Sequence, residues 1–201
     1  MQESSTRNIL FIESDLWIAF RDGDKDAFSR LYKYVYKNLY SYGISCGMNS
    51  HEADDAIQDL FLRLYSNPSL IVNSSTIRPF LFRSVKNYFF NIQKKQNRHI
   101  DLNNAELPFT FTYNIDESII KEEEQTMIKQ KVDHLLSVLS PRQKEIIYLR
   151  FLHEMDYDEI ASVMNISNQV ARNLLYKAME KLRSYNVNDI TLIIMFLLLC
   201  K

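Results

Sequence analysis

Amide, guanidinium and ammonium side chains recur at helical spacing near the end of the chain, between Tyr157 and Arg183. Amide and guanidinium groups form paired hydrogen bonds with the edges of nucleic-acid bases, and lysine ammonium groups bind phosphate. The apolar positions between them predict a buried stripe on the other side of the same helix, formed by Ala171, Leu174, Leu175, Ala178 and Leu182. The candidate base-binding and phosphate-binding residues are Ser167, Asn168, Gln169, Arg172, Asn173, Tyr176 and Lys177.

A sharp corner is predicted just before this helix, at Asn165-Ile166-Ser167. Asparagine tolerates the left-handed backbone conformation that such a corner needs, and Ser167 can cap the helix that follows. A short helix from Tyr157 to Met164 would precede the corner. Together these elements predict a helix-turn-helix, whose second helix would lie in the major groove of duplex DNA. The alternative is an ordinary helical hairpin with a solvated polar face.

The composition argues against most classes of enzyme. The chain has 201 residues but only 3 glycines, and neither G-x-G-x-x-G nor G-x-x-x-x-G-K-[ST] can be found in it. Cys46 and Cys200 form no C-x-x-C pair, and the 4 histidines are scattered without the spacing of metal ligands. No set of nucleophile and base can be assembled. We therefore expect no catalysis, no metal, no cofactor and no small-molecule substrate.

Cysteine use and the two ends of the chain bear on location. The two cysteines suggest no disulfide framework, so a reducing cytoplasm is the simplest location, and no signal peptide is visible. The stretch from Ile190 to Cys200 is apolar except for Thr191. As a helix it would span roughly 16 Å, about half of a bilayer core. We expect this tail to pack on the body or on a partner, with contact to a membrane surface as the alternative.

Charge is distributed unevenly along the chain, although the formal net charge is only −1. No Asp or Glu occurs from Leu60 to Ile100, whereas seven acidic residues accompany the single basic residue Lys121 between Asp101 and Thr126. This distribution predicts a nucleic-acid-binding surface beside a segment that repels or imitates nucleic acid. The basic residues of the first block are Arg63, Arg78, Arg83, Lys86, Lys94, Lys95 and Arg98.

Three apolar stripes at helical spacing predict three helices in the first half of the chain. Asn49 and Glu52 form a candidate capping box at the start of the second helix, which Asn67-Pro68 would end. The third helix would begin near Ile77. The stripes are Phe28, Leu31, Tyr32, Val35, Leu39 and Tyr42; then Ala53, Ala56, Ile57, Leu60, Phe61 and Leu64; then Leu81, Val85, Tyr88, Phe89 and Ile92.

The second half begins with a predicted helix from Glu117 to Leu139. Capping boxes at Ser140 with Gln143 and at Asp156 with Glu159 would start two further helices, the first running to about Leu152. No convincing strand pattern is present. The predicted fold is therefore all-α, with two small helical domains at 1–100 and 117–201 joined by a flexible acidic linker at 101–116. The apolar tail belongs to the second domain.

Three blocks of the chain, in this order, resemble the extracytoplasmic-function group of bacterial RNA polymerase sigma factors, which belongs to the sigma-70 family. "EADDAIQDLFLRLYSNP" is similar to region 2.2 of that family, and "IRPFLFRSVKNYFFNIQKKQNRH" is similar to regions 2.3 and 2.4. The stretch "LSPRQKEIIYLRFLHEMDYDEIASVMNISNQVARNLLYKAMEKLR" resembles region 4. No region 3 is apparent between them. The resemblance covers roughly residues 20 to 185.

The resemblance implies three binding surfaces. Region 2.2 would dock on the clamp coiled coil of the largest polymerase subunit, and the residues that match are Asp55, Gln58, Asp59 and Leu62. Regions 2.3 and 2.4, with the preceding loop 67–76, would bind and open the promoter −10 element through Arg83, Lys86, Asn87, Asn91, Lys94 and Lys95. The helix-turn-helix residues would read the −35 element as duplex.

The resemblance also implies partners. They are core RNA polymerase, through its clamp coiled coil and its flap, promoter DNA, and an anti-sigma factor. Tyr88, Phe89 and Phe90 are candidates for stacking on unpaired bases, although aromatic residues at this spacing more often belong to a core. One alternative function is an autonomous transcription regulator that binds duplex DNA without polymerase. Another is an interaction protein that binds polymerase but has lost promoter contact.

Overall fold

The computed structural model describes residues 3–73, 76–96, 108–111, 130 and 132–185 of the chain. These residues form helices and connecting turns without any strand, which confirms the prediction of an all-α fold. The chain divides into two compact units, the first from Met1 to Ala105 and the second covering most of the chain from Glu106 onward. The predicted apolar tail at 190–200 lies outside the described residues.

The first unit is built from four helices. The sequence patterns predict three of them, and the helix that they do not predict is the one nearest the N-terminus. That helix contributes Trp17, whose side chain is fully buried. The helices are α1 (Glu3–Arg21), α2 (Lys25–Ser45), α3 (Ser50–Ser66) and α4 (Ile77–Gln96), with a 3-10 turn at Pro68–Leu70.

Local signals start these helices where the sequence indicates. At α3 the Asn49 side chain accepts a hydrogen bond from the Glu52 N–H at 3.0 Å, and the Glu52 carboxylate accepts one from the Asn49 N–H at 2.9 Å. The predicted capping box is therefore confirmed. At α2 the carboxylate of Asp24 accepts from the N–H groups of Asp26 and Ala27. Each cap satisfies N–H groups that have no partner within the helix.

The core of the first unit follows the predicted stripes closely. All six predicted positions of α3 are buried, whereas on α4 Leu81, Val85 and Phe89 are buried and the other two are half-buried. Gly43 of α2 lies where the three helices approach most closely. A Cβ at that position would lie 3.2 Å from Met48 Sδ, 3.4 Å from the Ala53 Cβ and 3.5 Å from a Val85 methyl group. A Cβ there would be tight against the Met48 sulfur and in ordinary contact with α3 and α4, so the position has no room for a larger side chain.

The second unit contains three labelled helices: α5 (Pro141–Ile147), α6 (Tyr157–Met164) and α7 (Asn168–Tyr185). The capping boxes predicted at Ser140 with Gln143 and at Asp156 with Glu159 are both present. Residues 132–137 are also helical, whereas most of the helix predicted from Glu117 lies outside the described residues. The helix predicted to reach Leu152 does so, but its last five residues, Tyr148–Leu152, are wound as a π-helix.

Part of the predicted linker packs onto the second unit. Phe109 and Phe111 are both buried, and their rings lie 5.3 and 5.5 Å from the Tyr148 ring. The absence of a helical period around Pro108 indicated only that this stretch is not helical. Two aromatic residues separated by one position supply enough apolar surface to bind an extended segment to the core. Residues 108–111 are therefore part of the folded unit rather than free tether.

Candidate nucleic-acid interface

The corner between α6 and α7 has the conformation that the sequence predicts. Asn165 ends α6 in the left-handed region, at φ 53° and ψ 51°, and the next N–H, of Ile166, bonds to the Ala161 carbonyl at 3.0 Å. The Ser167 hydroxyl accepts a hydrogen bond from the Val170 N–H at 3.3 Å, which caps α7. The two helices thus form a helix-turn-helix whose corner is closed by backbone bonds and one side-chain cap.

Helix α7 has a buried side and a polar side, as predicted. Ala171, Leu175, Ala178 and Leu182 are buried, while Leu174 is half-buried. Of the predicted DNA-binding residues, all are exposed except Asn168, which is half-buried: Ser167, Gln169, Arg172, Asn173, Tyr176 and Lys177. Val170 is not among the predicted DNA-binding residues. It is also exposed and adds an apolar group beside the polar ones.

Hydrogen bonds join the polar side chains of α7 before any ligand is present. Gln169 Nε2 donates to Asn173 Oδ1 at 3.1 Å, and Arg172 Nε donates to Asn168 Oδ1 at 2.7 Å. The Arg172 guanidinium also lies over the Tyr157 ring, with Cζ 4.2 Å from the ring centroid. Because these contacts use Nε and one face of the guanidinium, its two Nη groups remain suitable for paired bonds to the edge of a guanine.

Helix α4 carries the second candidate face. Arg83, Asn87 and Asn91 are exposed and fall on one side of the helix, with Lys94 and Lys95 exposed at its end. Lys86 differs, because its side chain is only 9% exposed. It was predicted as a −10 contact, but it turns into the unit rather than lying on the surface with the others.

Two expectations about this face need correction. Phe89 is 2% exposed, so it belongs to the core and offers no ring for base stacking, whereas Tyr88 and Phe90 are half-buried. Arg78 is also buried, at 3.8 Å from the Glu13 carboxylate of α1. The basic block of the sequence therefore presents fewer charges than its count suggests, because Arg78 and Lys86 are both buried in the unit.

Side chains of α1 donate hydrogen bonds to backbone carbonyls of the loop between α3 and α4. Trp17 Nε1 donates to the Ile71 carbonyl at 3.4 Å, and Arg21 donates to the Val72 carbonyl at 2.8 Å. The Ile71 side chain is buried, while that of Val72 is 79% exposed. Sequence reasoning missed both α1 residues, although Trp17 is the only tryptophan of the chain and could have been singled out for that reason.

Helix α3 offers a third face, which is acidic with an apolar centre. Asp55, Gln58 and Asp59 are exposed, and Leu62 keeps 68% of its surface in solvent. Burial, and after it the carboxylates of Asp55 and Asp59, raise the pKa of the Tyr88 hydroxyl, so this part of α4 lies beside the acidic face. The predicted polymerase-binding residues of α3 are therefore all accessible from solvent.

Comparison with known proteins shows which family the chain resembles. The family model for sigma-70 region 4 matches residues 129–182, the stretch that contains the helix-turn-helix. The extracytoplasmic-function sigma factor SigM of Bacillus subtilis is 25% identical over 162 residues, covering 79% of this chain and 96% of SigM. SigW of the same organism is 22% identical over 173 residues, covering 81% and 90% of the two chains. The second unit therefore matches sigma-70 region 4, and the chain is similar to extracytoplasmic-function sigma factors over about four fifths of its length.

Solved structures agree with this fold. The structure of CnrH in complex with the cytosolic domain of CnrY matches this chain with a TM-score of 0.54 at 19% identity, over 87% of this chain and 96% of the other. The sigma factor RpoE in its complex with the anti-sigma factor NepR, from Bartonella quintana, gives the same TM-score at 20% identity, over 78% and 94%. At these identities the two likenesses support the helical architecture alone.

Two other kinds of site are absent from the part of the chain that the structure describes. There, no three His, Cys, Asp or Glu side chains come close enough together to hold a metal ion. Within the same residues, no helix combines the length and the apolar character that crossing a membrane requires.

Proposed function

We propose that this chain is a sigma factor that binds core RNA polymerase and directs it to promoters with two separate elements, using three surfaces of its own. The observation that carries the proposal is the exposed polar face of α7 within a helix-turn-helix that matches region 4, in a chain whose likeness to named sigma factors extends over both units. The protein is then a non-enzymatic initiation factor, and the reaction belongs to the polymerase. We also propose that it acts in the cytoplasm.

The −35 element would be read as duplex by α7. Arg172 carries a guanidinium that can pair with guanine, and the Gln169 and Asn173 amides can pair with adenine or act together on one base pair. Tyr176 and Lys177 lie one turn further along and suit phosphate contacts. The exposed methyl groups of Val170 are suited to the methyl group of a thymine.

The −10 element would be held by α4 and the loop before it. Arg83, Asn87 and Asn91 form one exposed row, in which a cation can hold the backbone of a separated strand and the amides can bind base edges. The loop at 67–73 is anchored by Trp17 and Arg21, so its exposed groups keep a fixed position when a base is drawn out of the duplex.

Polymerase would bind the acidic face of α3. Asp55, Gln58, Asp59 and Leu62 are exposed together on this helix, and Leu62 supplies the apolar contact that charged residues alone lack. Two of the similar solved chains are bound to another protein, CnrH to the cytosolic domain of CnrY and RpoE to the anti-sigma factor NepR. On that basis we propose that an anti-sigma factor controls this protein. We also propose that the polymerase flap binds its second unit.

The autonomous-regulator alternative is not favoured. A regulator that shared only the DNA-binding motif would be similar to sigma factors in the second unit alone. The likeness to SigM instead covers 79% of the chain and therefore extends well into the first unit.

The test is transcription with purified core polymerase on a library of promoter fragments, with start sites mapped. Initiation from fragments that share two upstream motifs supports the proposal. Specific binding to duplex without polymerase would instead support an autonomous regulator. Polymerase binding without initiation would indicate an interaction protein.

A further inference from the structure

Four side chains form a continuous chain of contacts across the helix-turn-helix, from the start of α6 to the second turn of α7. The Asp158 carboxylate accepts a hydrogen bond from Asn168 Nδ2 at 2.6 Å, and Asn168 Oδ1 accepts one from Arg172 Nε at 2.7 Å. The Arg172 guanidinium then lies 4.2 Å from the centroid of the Tyr157 ring. Tyr157 and Asp158 are adjacent residues, so the chain of contacts closes on itself.

Hydrogen-bond chemistry fixes the orientation of the Asn168 amide. An ionised carboxylate only accepts and a guanidinium only donates, so the amide nitrogen must face Asp158 and the amide oxygen must face Arg172. The reverse orientation would set donor against donor and acceptor against acceptor. Asn168 therefore has both ends of its amide engaged inside the protein, unlike the other polar residues of α7.

The Tyr157 ring is itself held in place. The Arg150 guanidinium lies 5.2 Å from the same ring centroid and donates through Nη1 to the Met155 carbonyl at 2.7 Å. Arg150 is half-buried, so it belongs to the framework of the unit and not to the exposed face. Arg172 thus stacks on a ring that the rest of the unit keeps in one position.

We infer that Tyr157, Asp158 and Asn168 are positioning residues for Arg172, and that Asn168 acts through Arg172 instead of reading a base of its own. The inference rests on the proposed function, in which Arg172 pairs with a base of the −35 element. A free arginine side chain loses rotational freedom when it binds, whereas one already held at Nε and on one face has lost much of it in the folded protein. The two Nη groups then meet the base edge as a prearranged fork.

This arrangement increases the discrimination between base pairs by Arg172 as well as its affinity for the correct one. A guanidinium on a freely moving stem can swing from a base to a nearby phosphate and keep most of its attraction for DNA. Contacts at Nε and with the Tyr157 ring oppose that movement. With a wrong base pair opposite Arg172, the two Nη groups therefore stay unpaired instead of moving to a phosphate. This raises the free-energy cost of a mismatch.

The experiment uses holoenzyme made from the full chain and core polymerase. Its probe is a duplex promoter fragment selected from the library, with every single base-pair change across the upstream motif. Arg172→Ala is the reference variant, expected to reduce discrimination at one base pair by about 5- to 150-fold, the range for a lost bidentate contact. Asn168→Ala and Tyr157→Leu are each expected to reduce discrimination at that same base pair, by about 2- to 5-fold, the range of one exposed cation–π contact.

Conservative variants provide the matched controls. Tyr157→Phe keeps a ring beneath the guanidinium, and Asp158→Asn keeps an oxygen that accepts from Asn168, so both are expected to retain most of the discrimination. Asp158→Ala removes that oxygen and is expected to lose the discrimination. Lys177→Ala should weaken all fragments equally and leave discrimination unchanged. Helix content measured by circular dichroism shows whether each variant is folded.

The double variant Asn168→Ala with Arg172→Ala separates the possible outcomes. If Asn168 acts through Arg172, the double variant is no worse than Arg172→Ala alone. If Asn168→Ala relaxes a different base pair, or adds its loss to that of Arg172→Ala, Asn168 reads a base itself and the inference is overturned while the proposed function stands. If Arg172→Ala changes discrimination nowhere, both the inference and the assignment of Arg172 to the −35 element fail.

Discussion

Replacing Leu62 with alanine is expected to weaken the binding of core polymerase about tenfold, without loss of helix content. Full burial of a leucine side chain contributes about 1.5–3 kcal/mol. Leu62 has 68% of its surface exposed in the free protein, so an interface that covers it gains about 1–2 kcal/mol, equivalent to roughly 5- to 30-fold in affinity. Alanine retains only a small part of that gain and is a good helix former, so α3 should remain intact.

The assay is a titration of fluorescently labelled protein with core polymerase, followed by anisotropy at several salt concentrations. Ile18→Ala is the matched control, because Ile18 is an apolar residue of α1 with 43% of its surface exposed and lies outside the proposed docking face. Asp59→Arg reverses a charge on the docking face and should weaken binding most at low salt, where electrostatic interactions are least screened. Equal losses for Leu62→Ala and Ile18→Ala, or none for either, would refute the assignment of this face.

Three further predictions concern the fold that supports the surfaces. Asn165→Ala should lower the free energy of unfolding of the second unit by about 1–2 kcal/mol, because alanine resists the left-handed conformation, whereas Asn165→Gly should not; thermal melting of both variants checks this. The hydrogen bond to Asp54, followed by burial, raises the pKa of Tyr36 from its usual value near 10 to about 12. Its contribution to stability is therefore complete below pH 10 and lost as the pH rises through about 12, and an NMR titration in which Tyr36 ionises near 10 would contradict this. Glu13→Ala should cost about 3–5 kcal/mol of unfolding free energy by leaving the buried Arg78 charge uncompensated, whereas the double change Glu13→Leu with Arg78→Met should restore most of it in chemical denaturation.

Local patterns in the sequence predicted local features of the fold well. The whole buried stripe of α3, its capping box and the left-handed corner at Asn165 follow from residues within a few positions of one another. Helix α1 was missed because its second half is apolar around most of its circumference, with Ile12 and Ile18 exposed and Trp17 buried. A stripe at helical spacing is therefore hard to see there.

The features that could not be predicted depend on distant parts of the chain. Trp17 and Arg21 bind carbonyl groups of the loop that lie 54 and 51 positions later, and no local pattern links such positions. The burial of Lys86 was missed for a related reason, since a lysine is normally assigned to the surface unless a surrounding fold is known. In the helix-turn-helix, the exposed face of α7 was predicted. The hydrogen bond between Asn168 and Asp158 was not, because an acidic residue is not expected to support DNA recognition.

The burial of Arg78 and Lys86 has a consequence for how the first unit holds a separated DNA strand. Among the described residues of α4, the exposed cations are Arg83, Lys94 and Lys95. If all three bind phosphates of single-stranded DNA, counterion release gives a slope of only about −2 in log K against log salt. A salt dependence this shallow is typical of weak binding to single-stranded DNA. Helix α4 on its own would therefore release melted DNA readily, and a stable open bubble would require further cationic surface, which the proposed polymerase partner can supply.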